Sequence, residues 1–237
     1  MRSENDPGRI DAVILCGGRG ERLKRIVKDR PKPMADINGR PFLDMVIDHL
    51  SDYGFKRVVL CLGYKADVIR KYYSGRHSKI EILFSAEAFP LGTAGAIKNA
   101  EALIGSDPFL VMNGDSYCSI NLQRFIDFHI KKKNVLSMAL TRSVENEDCG
   151  FVRLDRSRKI TSFNEKNRTD KDRYVNTGIY LFSKKALKLI PPGKKISLEY
   201  EVIPKILNKK IYGFVTDERL TDIGTPGRYR KAKICFK

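Results

Sequence analysis

The stretch "LCGGRGERLKRIVKDRPKP", residues 15–33, sets three glycines beside a run of arginines and lysines and closes on Pro-Lys-Pro. Gly17, Gly18 and Gly20 bring backbone N–H groups close to a ligand with no Cβ in the way, which suits phosphate oxygens. Arg22 adds a guanidinium fork and Lys32 a point charge, the latter held in a stiff extended segment by Pro31 and Pro33. Together they have the composition of a triphosphate cradle. Two other readings compete. A dinucleotide fingerprint needs Gly-x-Gly-x-x-Gly, but Leu23 stands where its third glycine belongs, and no Gly-Lys-Ser/Thr ending marks a Walker A loop. A tight turn running into a solvated basic loop would explain the same residues without any ligand.

Thiol and imidazole chemistry has little support. Cys16, Cys61, Cys118, Cys149 and Cys235 are dispersed and form no Cys-x-x-Cys pair, which reads as free thiols in a reducing compartment. His49, His77 and His129 are too scattered for a zinc site. The formal charge of +17 invites polyanions. Yet the basic residues run along the whole chain, without a basic tail or the aromatic-basic signature of an RNA-binding module, so no nucleic-acid partner is expected. With 42% hydrophobic and 31% charged residues, a globular protein is expected. No apolar run approaches the ~20 residues of a membrane span. The opening "MRSENDPGRI" lacks the apolar segment of a secretory signal and reads as a flexible lead over residues 1–10. A cytoplasmic protein with no membrane partner is the expectation.

The elements that must position these residues alternate. "DAVILC", "RVVLCLGY", "IEILFS" and "FLVMNGD" are short β-branched apolar runs of the kind that form buried parallel strands. Helical stretches follow them: "PFLDMVIDHLSDYGF", with Phe42, Val46 and Leu50 on one stripe, then "KADVIRKYYSG", "GTAGAIKNAEALI" and "NLQRFIDFHIKKK". Repeated strand–helix alternation predicts right-handed βαβ units, an α/β Rossmann-like sheet, mostly parallel, with helices on both faces. Beyond about residue 135 the runs "VLSMALTRS", "FVRLD", "ITSFNEK", "TGIYLFS" and "IYGFVTD" predict a smaller mixed β extension, with "SLEYEVIPKIL" as a helix. One domain over 11–237 is expected, in two halves, 11–134 and 135–237. Ligands of open parallel sheets bind beyond the carboxyl ends of strands, where the glycine loop, "SAEAFPLGTAG" and "NGD" all lie.

"LCGGRGERL", "RPKPMADINGRPF", "EAFPLGTAGAI", "NGD", "CGFV", "FNEK", "NTGIYLF", "SLE" and "DIGTP" occur in the order found in sugar-1-phosphate nucleotidyltransferases, which the chain resembles over residues 11–229. The resemblance implies a nucleotide-diphospho-sugar transferase-like fold, its 11–134 half binding nucleotide and its 135–237 half forming a sugar lobe. It implies a reaction in which a sugar 1-phosphate attacks a nucleoside triphosphate and releases pyrophosphate. The attacking oxygen is already anionic, so the protein must align two polyanions and neutralise them. Asp115 and Asp222 resemble the family's metal carboxylates, and Mg²⁺ is the implied cofactor. Arg22 and Lys32 would grip the reacting phosphates, and Leu15, Gly17, Gly18, Gly20, Gly92 and Thr93 would line the nucleotide site. Lys166 would hold the sugar's phosphate, while Asn113, Gly150, Glu165, Asn176 and Glu199 would contact the sugar. Two residues depart from the family pattern: Glu21 replaces a common threonine, and Asn167 a common proline.

Glu87 stands five residues before Gly92, where related enzymes read the base. A carboxylate only accepts hydrogen bonds, and guanine offers adjacent donors at N1 and N2, so GTP is the expected nucleotide. Within the family the likeness points to D-glycero-D-manno-heptose 1-phosphate as the sugar. Mannose or another hexose 1-phosphate comes next, and an N-acetylated amino sugar with UTP third. A nicotinamide-dependent dehydrogenase, a non-catalytic nucleotide module and a nucleic-acid binder are the readings from other classes. Oligomeric state is not encoded in any feature of the chain.

Overall fold

A computed structural model describes residues 5–75, 79–142, 150–164 and 174–236. The N-terminal half runs β1 (Ala12–Leu15), a hairpin of β2 (Asp36–Ile37) and β3 (Arg40–Pro41), α1 (Phe42–Asp52), β4 (Arg57–Leu62), α2 (Ala66–Tyr73), β5 (Glu81–Ala86), α3 (Gly92–Asn99), β6 (Phe109–Asn113), β7 (Ser116–Tyr117) and α4 (Leu122–Lys132). The rest adds β8 (Leu136–Thr141), β9 (Phe151–Leu154), β10 (Ile160–Asn164), β11 (Tyr174–Phe182), α5 (Ile203–Ile206), β12 (Ile211–Thr216), β13 (Thr221–Asp222) and α6 (Pro226–Cys235).

One nine-stranded sheet runs through both halves in the order β10-β9-β11-β6-β1-β4-β5, with β8 and β12 attached through β11. The β6-β1-β4-β5 part is wholly parallel, as the alternating pattern predicts. β11 then joins it antiparallel to β6 and also pairs with β8 and β9. Alternation within β1 explains the layering. Ala12 and Ile14 face a core shared with α1, α2, α4 and α6, while Val13 faces one shared with α3 and α5. The stripe of Phe42, Val46 and Leu50 is fully buried in the first of these cores.

Several elements differ from the sequence expectation. The lead is anchored from residue 5 onward: Gln123 donates to the Asn5 carbonyl at 2.9 Å, Pro7 and Ile10 are buried, and Asp6 caps a short 3₁₀ turn. The helix expected over "SLEYEVIPKIL" opens as a π turn, Leu198–Val202, before a single turn of α5. Pro204 has no N–H to continue the α ladder, and the wider turn accommodates the loss. β11 begins earlier than expected, at Tyr174, and shifts register between Asn176 and Tyr180, where Gly178 adopts φ +76°. The β2–β3 hairpin, the β7–β13 pair and α6 carry no apolar periodicity and were not legible as elements.

Candidate active site

The glycine loop leaves β1 at half-buried Leu15 and passes over the ends of the neighbouring parallel strands. Cys16 N–H donates to the Cys61 carbonyl at 2.9 Å, and Tyr64 N–H to that of Gly17 at 3.1 Å. Gly20 has φ +59° and lies so close to Lys32 that an added Cβ would sit 3.1 Å from the lysine Cβ. The left-handed angle and the close approach both require glycine there. Pro31 and Pro33 flank Lys32 in a short 3₁₀ turn, which aims its ammonium at Asp115 Oδ2, 2.5 Å away. Arg22 and Lys32 thereby share one concavity.

Asp115 arrives from the adjacent strand. Gly114 after β6 packs on the end of β1, where a Cβ would stand 2.8 Å from Cys16 Sγ. Asp222 comes from far along the chain. The β7–β13 pairing sets it opposite Ser116, and Ile223 N–H donates to the Asp115 carbonyl at 3.1 Å. Asp222 accepts from Gly224 N–H at 2.7 Å through one oxygen and from Arg228 Nη1 at 3.2 Å through the other. The two carboxylates, Arg22, Lys32, Asn113 and Arg228 line a cavity of about 260 Å³.

Its far wall comes from the 135–237 half and from Asn113. Asn176 N–H donates to the Gly150 carbonyl at 2.8 Å, and Asn176 Nδ2 to the Tyr180 hydroxyl at 2.6 Å. That hydroxyl lies 3.4 Å from Glu199 Oε1. Asn113, Gly150, Asn176 and Glu199 all face the cavity. Thr93 is turned toward this wall: its hydroxyl accepts from Leu198 N–H and donates to Glu199, both at 2.7 Å. Thr93 therefore links the start of α3 to the Glu199 carboxylate. Glu165 and Lys166 lie outside the described residues.

On the nucleotide side, Glu87 Oε2 accepts from Leu91 N–H at 3.0 Å. Its Oε1 lies over Gly17 and Gly63, and a Cβ on Gly63 would collide with it. Partial burial pushes the Glu87 carboxyl above its ordinary range. Gly92, at φ +70°, opens α3 against the chain at Ile196, whose carbonyl leaves no room for a Cβ. Gly18 has open space beside it.

The three buried thiols are poor nucleophiles. Burial pushes the Cys61 and Cys118 thiols up to about 12 and raises Cys16 well above its usual value. No group of three or more His, Cys, Asp or Glu side chains is placed to hold a metal among the described residues. Asp115 and Asp222 are a pair, which suffices for an ion that fills its shell with phosphate oxygens and water.

Residues 11–234 match the model of the nucleotidyl transferase family. The chain belongs to that family. This nucleotidyltransferase is 36% identical over 225 residues to the D-glycero-alpha-D-manno-heptose 1-phosphate guanylyltransferase of Aneurinibacillus thermoaerophilus, covering 94% of this chain and 97% of the relative. It is 32% identical to the mannose-1-phosphate guanylyltransferase of Mycobacterium tuberculosis, spanning 92% of this chain and 62% of that longer protein. Among solved structures, HddC from Yersinia pseudotuberculosis superposes with a TM-score of 0.85 at 37% identity, covering 96% of this chain and all of HddC. HddC has also been solved with GMP-PN. The nucleotide-diphospho-sugar transferase-like fold expected from the sequence is the fold observed.

Gly63, Arg228 and Ser116 are among the contributors that sequence reasoning missed. Gly63 had a signal, a glycine at the carboxyl end of a parallel strand. Arg228 had a subtler one: a cation in the first turn of α6, where the helix dipole disfavours it. Ser116, which β13 pairs with Asp222, had none.

Proposed function

We propose that this nucleotidyltransferase transfers GMP from GTP to a sugar 1-phosphate, with D-glycero-D-manno-heptose 1-phosphate as the preferred acceptor, and that it works in the cytoplasm. The observation that carries the reading is the convergence of Asp115 and Asp222 with Arg22 and Lys32 in one cavity, opposite the Asn176–Glu199 wall. The sugar phosphate's anionic oxygen attacks the α-phosphorus, the bond to the β-phosphate oxygen breaks, and pyrophosphate leaves. Arg22 and Lys32 neutralise the phosphates, while Asn113, Asn176 and Glu199 orient the sugar hydroxyls. Asp115 and Asp222 offer a hard-oxygen donor set that fits Mg²⁺, and Asp115 keeps one oxygen clear of its Lys32 contact. When bound, Mg²⁺ would supply charge neutralisation at the phosphate oxygens. Glu87, capping its own turn through one oxygen, presents the other toward the nucleotide as an acceptor for guanine N1 and N2 donors.

Pyrophosphate release measured with GTP, ATP, CTP and UTP against a panel of sugar 1-phosphates, with and without Mg²⁺, tests each part. Turnover is expected with GTP and heptose 1-phosphate and only with the metal. Faster turnover of UTP or CTP than of GTP would remove the role of Glu87. Preference for mannose 1-phosphate would establish the second reading, which the mannose-1-phosphate guanylyltransferase relatives support.

A further inference from the structure

A second cavity, of about 420 Å³, lies within the 135–237 half, and the described residues lining it include Arg142, Arg153, Arg156, Arg158 and Tyr174. We propose that it is a separate anion site that takes a polyphosphate-bearing small molecule. The chain has 25 lysines and 20 arginines, yet every cationic residue among the described lining residues is an arginine. Guanidinium forks match phosphate oxygens in pairs, whereas a merely solvated basic face has no need of them. Arg142 Nε lies 3.8 Å from Asp217 Oδ1 and Asp155 joins the lining, so an incoming anion adds to counter-charge already present.

The backbone that carries two of these exposed arginines is fixed. Arg156 and Arg158 sit in the β9–β10 turn. There Asp155 Oδ1 accepts from Ser157 N–H at 2.8 Å, the Ser157 hydroxyl at 2.7 Å and Lys159 N–H at 2.9 Å. Asp155, the one carboxylate among the described lining residues, thus spends an oxygen on the turn itself. Lys132 Nζ donates to the Ser157 carbonyl at 3.0 Å, and Gly213 N–H to that of Arg158 at 2.9 Å, fastening the turn to α4 and β12. Arg158 occupies the left-handed region, φ +68°, which favours glycine or asparagine. The Arg142 guanidinium lies 5.8 Å from the Tyr174 ring centre, so a flat apolar face adjoins the cationic one. The volume is that of a small-molecule pocket.

Tyr174 and Asn176 share a face of β11, two residues and roughly 7 Å apart. The first lines the arginine cavity and the second the catalytic one. An occupant of the arginine cavity therefore bears on the strand that presents Asn176 to the sugar.

Titration calorimetry with inorganic tripolyphosphate at physiological ionic strength, where exposed charges more than about 8 Å apart are screened, tests the site. An Arg22→Ala/Lys32→Ala protein, with its catalytic cradle disabled, is expected to bind one equivalent. Adding Arg156→Ala and Arg158→Gly is expected to weaken that binding at least tenfold. Glycine suits the backbone angle at 158, so an unchanged melting temperature shows the fold is kept. Absence of binding in the double variant, or equal binding in the quadruple one, would overturn the proposal. So would retention of single-stranded RNA through these arginines without any tripolyphosphate binding.

Discussion

Asp115 shows how little of a site a single residue declares. Its type and its position after a buried strand permit a turn or a cap as readily as a ligand. Only the β7–β13 pairing, which brings up Asp222, makes the two carboxylates one feature. Asp115→Asn and Asp222→Asn are each expected to lower turnover by roughly a hundredfold to a thousandfold without shifting the melting temperature. An activity loss that tracked unfolding would remove the residue from the chemistry. Arg228 belongs to the same scale and left only a faint signal, a cation in the first turn of a helix with no apolar stripe. Arg228→Ala removes the guanidinium that donates to Asp222 Oδ2. It is expected to lower kcat about tenfold, or ~1.4 kcal/mol in the barrier, with KM for GTP little changed; a pure KM effect would make it a binding residue instead. Glu87→Gln replaces an acceptor-only group with a donor-acceptor. The ratio of GTP to UTP turnover is expected to fall by at least tenfold.

At the scale of elements, βαβ alternation was readable because hydrophobic periodicity writes it directly, and β1, β4, β5 and β6 fall within a residue or two of their apolar runs. What escaped were elements fixed by backbone geometry. At the register shift of β11, Gly178 must be glycine because Asn113 occupies the space a Cβ would need, a contact between distant segments that no local pattern records. Gly92→Ala places a side chain against the Ile196 carbonyl at a left-handed φ. It is expected to destabilise the protein by about 1–3 kcal/mol, visible as a lower melting temperature, and to raise KM for GTP. The packing of α4 on β8 has its own pH signature. Asn134 donates to Ser137 Oγ at 2.8 Å, leaving the serine proton for His129 Nδ1 at 3.0 Å. Burial holds His129 neutral, its pKa down at about 4 against the pull of Asp107. Between about 4 and the free value near 6.5 the unfolded chain binds more protons, so stability falls as pH drops through that window. The full span is worth about 3 kcal/mol. His129→Gln is expected to flatten that part of a denaturation-versus-pH profile.

For the whole molecule, the charge of +17 acts on anionic substrates before any contact forms. The second-order rate constant kcat/KM for GTP is expected to fall with ionic strength, and more steeply than kcat. A flat response would confine electrostatics to the cavity. The same sheet carries both binding halves, and the ladder from Ile179 to Phe182 of β11 against Phe109 to Met112 of β6 crosses the notional border between them. An engineer wishing to exchange acceptor preference with a relative therefore cannot splice at residue 135 as though joining two modules. The cut would leave each fragment with a raw strand edge. Transplanting individual loops at the cavity rim, with the ladder left whole, is the grafting strategy this architecture permits.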